Sequence, residues 1–526
     1  MSYLIIETNL FFVKNLFKSW REDLPSSIVV FFVALPLCLG IGLASTSVEG
    51  FTPIPISGLI AGIIGGVVVG LLSNSRLGVS GPAAGLITVV ISSISALGSF
   101  NGFLLALILA GILQVIFAVL RAGIIANYLP TGVIKGMLAA IGITLILKEI
   151  PHLIGYDKDY VGDEAFFQQD GHNTLTEILY AVKALDPGIA MIGLVSLGLI
   201  VLFEQPKFKK FIAFKYIPSM LWVIIIGTLI NVVLTATGHD LHIAKEHLVQ
   251  IPQLTSWKSI QLQMHFPDFS FIYNPKIYIV ALTIATIASL ETLLSVEAID
   301  RLDPEKAITN PNRELMAQGV GNTIAGLLGG IPVTQVIVRS TANLNGGARS
   351  KMSAVYHGLW LVVAIVFIAP VLNLIPLATL AAILISVGYK LTNVKLIKAQ
   401  FAKGWDQFIP FVATIIAILF TDLLKGIGIG LVIAIFYIIK RNFKGNHEVI
   451  TTENGVEIIL GENVNFLNIA SIKNTLMNIP NDTHVIINST RSKSLDYDIQ
   501  ELLTDFISVT SKTKNITVLY QGQHLI

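Results

Sequence analysis

Apolar residues run in blocks of membrane length along most of this chain, at residues 26–44, 56–72, 102–120, 131–147, 188–203, 217–235, 275–297, 311–329, 352–370, 406–421 and 425–440. Such blocks predict membrane-spanning helices, since about 20 apolar residues cross a hydrocarbon core. Four weaker stretches join them: the run after Pro82, the segment NTLTEILYAVKAL before Asp186, the short run after Pro332, and residues 372–388. The pattern predicts an all-α polytopic membrane protein with about 14 segments over residues 23–442. The segment before Asp186 reads as a partial span or an interfacial helix.

The pattern changes after about residue 445. VEIILGENVNF, THVIINST and NITVLY read as short strands rich in β-branched residues, and DIQELLTDFISVTSK has apolar positions at helical spacing. Residues 446–526 are therefore expected to form a small α/β domain. At the other end, LIIETNLFFV carries a glutamate and lacks a small-residue cleavage site, so residues 1–22 read as an amphipathic cytoplasmic segment and not a signal peptide.

Composition agrees with the membrane reading and narrows the function. The 526 residues are 53% hydrophobic and 13% charged, with a mean hydropathy of +0.75; a soluble domain carries about 25% charged residues. The single cysteine, Cys38, excludes a disulfide framework and a cysteine-based zinc site. The 10 histidines form no metal-like cluster, and no cofactor motif is present. A net charge of +2 without a basic, aromatic-studded run argues against nucleic acid. No GxSxG, Walker A or HExxH pattern stands in a supporting context, so neither hydrolysis nor an ATP-driven pump is expected, and the chain is not read as an enzyme.

Charge also orients the bundle. Lys14, Lys18 and Arg21, then Arg76, Arg121, Lys207, Lys209, Lys210, Lys215, Arg349, Lys351, Lys395, Lys398, Lys403, Lys440, Arg441 and Lys444 fall on alternate turns, placing both termini in the cytoplasm by the positive-inside rule. The loop 149–187 belongs outside, with Asp157, Asp159, Asp163, Glu164 and Asp170 against Lys158 and Lys183.

Two apolar stretches are too short to span and begin abruptly behind small residues and proline: GVSGPAAGLITVVISS at 78–93 and GGIPVTQVIVRSTANL at 329–344. A helix that starts inside the membrane leaves its first N–H groups without intrahelical partners and points its positive dipole end at whatever lies in front. In the first stretch Ser80 and Gly81 allow close backbone approach, Pro82 is expected at the first helical position, and Ala83, Ala84 and Gly85 present amides. In the second, a helix is expected to start at Thr334, Gln335, Val336, Ile337 and Val338. Arg339 follows, placed either beside an anion, or snorkelling or paired with a carboxylate. The matching positions of the two segments suggest an inverted repeat, 23–235 and 275–442, with a small anion bound between the two helix starts. Glu291 lies inside the apolar run IVALTIATIASLETLLSVEAID with Ser295 one turn on; an ionisable residue there marks an ion-coupling position, or else a structural pair with a base such as Arg339. Lys135 reads as a residue near the membrane surface, able to snorkel.

At these residues the chain resembles the sulfate permease (SulP) family of anion transporters. The resemblance covers roughly residues 19–440, through WREDLPSSIVVFFVALPLCLGIGLA, LGVSGPAAGL, LPTGVIKGML, ASLETLL, NRELMAQGVGNTIAGLLGGIPVTQVIVRS and TDLLKGIGIGL. It implies a seven-plus-seven inverted repeat divided into core and gate domains that move in an elevator-like manner, with substrate between the half-helices starting at Pro82 and near Gln335. It implies cation or proton coupling at Glu291. Ser295 matches a hydroxyl beside it in sodium-coupled bicarbonate transporters of the family, which carry aspartate and threonine at the two positions, so Na+ is one candidate ion there and H+ the other. Leu37 stands where many members have glutamine, and Val336 and Val338 stand where some have serine, which leaves backbone amides as donors. The tail resembles a STAS domain, with Asp496 and Asp498 in the loop SLDYDIQELL, and implies cytoplasmic dimerisation or regulation. Together these readings predict a secondary active transporter of bicarbonate or sulfate in a bacterial plasma membrane, as a homodimer in the lipid bilayer. A passive anion channel or a nucleobase or organic-anion transporter of the same architecture is the alternative.

Overall fold

A computed structural model describes the chain apart from residues 1–17, 49–50, 162–165, 167–171, 209–217, 239–240, 242, 252–262, 444–446, 453–454 and 523–526. Of the charges from which the orientation is expected, Lys14, Lys209, Lys210, Lys215, Lys444, Asp163, Glu164 and Asp170 lie outside the described residues. Two compact units emerge, Met1–Leu431 and Val432–Ile526.

The helices of the first unit, in chain order, are α1 (Trp20–Thr46), α2 (Ile56–Leu72), α3 (Ala84–Leu97), α4 (Phe100–Val119), α5 (Thr131–Leu153), α6 (Thr174–Lys183), α7 (Pro187–Phe203), α8 (Ser219–Ala236), α9 (Lys276–Leu302), α10 (Pro311–Leu328), α11 (Ile337–Asn345), α12 (Met352–Leu372), α13 (Leu377–Leu391), α14 (Val394–Phe401), α15 (Trp405–Phe420) and α16 (Leu423–Phe443), the last running across the division into the second unit. Among the described residues, seven helices are long and apolar enough to cross a membrane, while α2, α3 and α15 are shorter apolar helices. The segment before Asp186 is α6, which meets α7 at a bend of 118°. Asp186 makes that corner by accepting a hydrogen bond from Ile189 N, with Pro187 in the first turn of α7.

Several helix pairs approach at backbone distance, among them α4 with α10 and α5 with α13. A Cβ on Gly111 of α4 would lie 2.5 Å from the carbonyl of Gly319 on α10, and one on Gly319 would lie 2.6 Å from that of Gly111; Gly142 of α5 and Gly388 of α13 meet in the same way, at 2.6 Å each. Small residues let membrane helices pack this closely, where dispersion and not water drives association. The first pair fixes α10, which carries the polar residues described below.

In the second unit, β3 (His447–Thr452), β4 (Gly455–Leu460), β6 (His484–Asn488) and β8 (Thr517–Gln521) form a sheet in the order β3-β4-β6-β8, antiparallel between β3 and β4 and parallel elsewhere; β5 (Asn463–Val464) and β7 (Ser494–Leu495) pair separately. Ile458, Leu460, Val485 and Ile487 from the strands pack with Ile472 and Leu476 of α17 (Ile469–Met477) and Ile499 and Leu503 of α18 (Tyr497–Asp505). The sequence had not marked β3, whose residues past His447 are all exposed.

The acidic loop after α5 is clasped by histidines. Nδ1 of His152 donates to Asp157 Oδ1 at 2.5 Å and Nδ1 of His247 to Oδ2 at 2.6 Å. His152 lies beyond the predicted span 131–147, with Glu149 and Glu177 acting on it and Lys148 on Glu149, while Glu246 and Asp186 face His247. Burial alone would raise the Asp157 carboxyl, but the two histidine hydrogen bonds outweigh it and hold the group below the ordinary carboxylate value of 3.8. Burial lowers and Asp157 more than restores the His152 value, to about 9, and Asp157 raises His247 likewise. The histidine contribution to stability is complete below the ordinary value of 6.5 and fades as pH rises through the folded values; the Asp157 contribution is complete above 3.8 and is lost on acidification below it. Asp157→Asn is therefore expected to cost about 2 kcal/mol near pH 6 and almost nothing at a pH well above the folded His152 value. Thermal unfolding in detergent across this range checks it, and a wild-type-to-variant difference that does not change with pH contradicts it.

Candidate anion site

The two short segments meet as a strand pair. β1 (Ser80–Pro82) runs antiparallel to β2 (Val333–Gln335), with Ser80 opposite Gln335, Gly81 opposite Thr334 and Pro82 opposite Val333. Val336 N donates to Val79 O at 2.9 Å and Val79 N to Ser340 Oγ at 2.9 Å, extending the ladder by one rung on that side. Because the strands are antiparallel, α3 starts beyond one end of the ladder and α11 beyond the other. The unpaired N–H groups of their first turns therefore converge on the crossing from opposite sides.

This corrects two expectations. Pro82 is not the first helical residue but the last of an extended strand, and the helix begins as a 3-10 turn at Ala84, with Leu86 N bonded to Ala83 O at 3.2 Å. Thr334 and Gln335 are likewise strand residues, and Val336 is an extended cap before α11 starts at Ile337. The physical reason is the pairing: each segment satisfies its backbone groups against the other, and helix starts only where the ladder ends. Ala83, Ile337 and Val338 are buried, while Ala84 and Val336 are partly exposed.

Helix α10 holds both strands from one side. Glu314, Gln318 and Asn322, spaced four residues apart and all fully buried, form its inner edge. Gln318 Nε2 donates to Ser80 Oγ at 2.7 Å and to Glu314 Oε1 at 3.1 Å, and Ser73 Oγ donates to Glu314 Oε2 at 2.5 Å. Asn322 brackets Val333, accepting from its N at 2.6 Å and donating to its O at 3.0 Å, and it also donates to Gln114 Oε1 at 2.7 Å. Gln114 in turn donates to Ser289 on α9 at 3.2 Å. The sequence reading passed over these side chains individually, although their polar i, i+4, i+8 spacing inside an apolar helix was a visible signal.

Arg339 is fully buried, and Nη2 donates to Pro82 O at 3.3 Å, while Nε and Nη1 have no hydrogen-bond partner. Nη1 occupies the place a Cβ on Gly81 would need, so the guanidinium passes directly under the strand crossing. Among the described residues no ion pair joins it to a carboxylate, Glu291 included.

Glu291 lies against the start of α3, its Oε1 3.1 Å from where a Cβ on Gly85 would stand. It faces a narrow gap shared with Gly85, Ile287, Leu294, Leu423, Leu424 and Ile427. Its neighbour Thr292 accepts from Gln335 N at 3.4 Å, tying α9 to β2. Ser295 is buried one turn further along α9. The crossing thus brings together Ser80, Gly81, Pro82, Gln335 and Arg339, with Glu291 at the α3 side of it.

Comparison with known proteins bears on the family and the fold. A putative sulfate transporter of Bacillus subtilis, YvdB, is 29% identical over 432 residues, 81% of this chain and 74% of that protein. The bicarbonate transporter BicA of Synechocystis is 27% identical over 439 residues, 81% of this chain and 71% of that protein. Among solved structures, the transmembrane domain of a cyanobacterial BicA superposes with a TM-score of 0.54 at 22% identity over 80% of this chain and 98% of that one, and SLC26A9 with 0.65 at 14% identity over 96% and 84%. At those identities the superpositions speak to fold: a helical membrane transporter fold, with a strand-containing C-terminal region consistent with a STAS domain. The family model described as the sulfate permease family matches residues 20–413, and the chain belongs to that family.

Proposed function

We propose that the chain is a secondary active transporter of a small inorganic oxyanion, bicarbonate or sulfate, acting as a homodimer in a bacterial plasma membrane with both termini in the cytoplasm. The observation that supports it most is the β1–β2 crossing: helix starts converge on it from both ends, and a buried guanidinium without a carboxylate lies beneath it. Amides, a dipole and one fixed cation bind an oxyanion without demanding side chains that read a larger ligand. The names of the relatives, bicarbonate and sulfate transporters, point to the same substrate class. Ser80, Gly81, Pro82, Ala83, Ala84, Gln335, Val336, Ile337, Val338 and Arg339 form the substrate site in this reading. Glu291, with Ser295 one turn on, takes up the coupled Na+ or H+ as core moves against gate in an elevator-like cycle, and residues 446–526 serve dimerisation or regulation.

Uptake of radiolabelled bicarbonate and sulfate into proteoliposomes, with sodium and proton gradients imposed in turn, tests this. Uphill accumulation under one gradient is expected, whereas equilibration alone means a channel and absence of flux defeats the reading. Glu291→Gln is expected to abolish gradient-driven accumulation while sparing exchange of anion for anion. An unaltered gradient response removes Glu291 from coupling.

A further inference from the structure

Away from the crossing, four cations gather where the start of α5, the end of α9 and the turn after α14 come together. Lys135 Nζ donates to Gln400 Oε1 at 3.4 Å, and Lys403, whose N bonds to Gln400 O at 3.2 Å, follows on the same turn. Arg301 Nη1 donates to Thr131 Oγ1 at 3.0 Å, one turn before Lys135 on α5, and Lys306 Nζ donates to Arg301 O at 2.6 Å. Lys403, Arg301 and Lys306 are the charged groups that act on Lys135. The carboxylates nearby are committed elsewhere or to a single cation: Glu297 to Arg301 at 2.6 Å, Asp300 to Thr309 at 2.7 Å, and Asp303 and Glu305 to Arg76.

A second observation indicates the missing partner. Gln400 is fully buried, its Oε1 is used by Lys135, and its Nε2 has no hydrogen-bond partner. A buried amide donor left open costs about 1–3 kcal/mol, and like charges held at close range repel by a similar amount near a protein surface. Both costs fall if one group rich in acceptors and carrying more than one negative charge binds among these side chains. A monovalent ion leaves most of the repulsion in place.

We propose that Lys135, Arg301, Lys306, Lys403 and the Gln400 amide form a binding site for a multivalent oxyanion, of the phosphate or sulfate type, that joins α9 to α5 and the α14–α15 turn. The site is separate from the crossing, because Arg301 lies ten residues beyond Glu291 on α9, about 15 Å of helix rise. Arg301 offers a fork and the lysines offer point charges, a mixed set suited to a phosphate group. The oxyanion comes either from solution or from the headgroup of a phosphomonoester lipid, and occupancy fastens the two sides of the seam together.

The test uses the purified full-length chain carrying Arg339→Met, which weakens the crossing site, with and without Lys135→Gln/Lys403→Gln. Inorganic phosphate, titrated at constant ionic strength, is expected to raise the unfolding temperature of the first protein, and the lysine changes are expected to shift the half-saturating concentration upward by about tenfold or more. Lys135→Arg/Lys403→Arg, which keeps the charge, is expected to retain the shift and shows that any loss comes from charge and not misfolding. Vesicles of phosphatidylcholine with and without phosphatidic acid form the second arm; stabilisation by phosphatidic acid alone, lost in the glutamine variant, identifies the lipid headgroup as the source. If the glutamine variant responds to phosphate and to phosphatidic acid like its parent, the proposal is overturned. Absence of uptake by the wild-type chain, with the phosphate response of the Arg339→Met protein intact, overturns the transport reading and leaves this site standing.

Discussion

Asn322→Leu is expected to abolish anion uptake and to lower stability by about 3 kcal/mol or more. The two side chains branch alike with the same number of heavy atoms, so the change removes the hydrogen bonds while adding the bulk of two methyl groups. Asn322 satisfies both backbone groups of Val333, at 2.6 and 3.0 Å, and the carbonyl of Gln114 at 2.7 Å, all in a fully buried place. Leucine leaves three buried polar atoms without partners, each at about 1–3 kcal/mol. Val333 is the residue opposite Pro82, so the loss falls on the rung from which α3 departs. Asn322→Asp is expected not to rescue uptake: it keeps the acceptor for Val333 N but sets a carboxylate oxygen against Val333 O and Gln114 Oε1. Uptake in proteoliposomes and thermal unfolding in detergent check both variants, and a leucine variant with wild-type uptake and unfolding temperature removes α10 from the support of the site.

The sequence exposed the large features and concealed the small pairings. Long apolar blocks, the abrupt starts behind Gly81-Pro82 and Gly330-Ile331-Pro332, and an acid deep in α9 were legible because each is local and each breaks the composition around it. The strand pairing was not, since three residues per strand leave no period to detect and proline after glycine reads equally well as a helix start. Gln318 and Asn322 sat within a motif that signalled the family, yet their partners Ser80 and Val333 lie 238 and 11 residues away in the chain. Distance hid the clasp on Asp157 in the same way: His247 is 90 residues further on. Of the positive charges at 135, 301, 306 and 403, Lys403 enters the orientation of the bundle and Lys135 reads as a snorkelling residue near the membrane surface, while Arg301 and Lys306 carry no signal of their own. That they share one place with a buried amide follows only from how α5, α9 and α14 pack. What the sequence could not carry is therefore of one kind: polar contacts between segments remote in the chain, whose geometry is set by helix packing and not by neighbours.

Arg339→Met is expected to change stability and anion response in opposite directions. The guanidinium is fully buried, has one hydrogen bond of 3.3 Å to Pro82 O, lies beside the Cys38 thiol, and among the described residues Nε and Nη1 have no oxygen or nitrogen partner. A buried cation without a carboxylate costs several kcal/mol of desolvation, which one long hydrogen bond does not offset. His357, also fully buried and without a partner at either ring nitrogen, offers no negative charge. Methionine matches the length of the side chain and removes the charge, so in buffer free of oxyanion the variant is expected to unfold at a higher temperature than the wild type. The wild type recovers the difference when an anion arrives at the crossing, because the arginine then has its counter-charge; the variant has nothing to gain there. Stabilisation by sulfate or bicarbonate, measured with Lys135→Gln/Lys403→Gln present to remove the second site, is expected to fall at least about tenfold in apparent affinity on adding Arg339→Met, with uptake lost. The opposite pattern, a lower unfolding temperature without anion and an unchanged response to it, makes Arg339 a strut of the fold and leaves the amides of α3 and α11 to bind the anion alone.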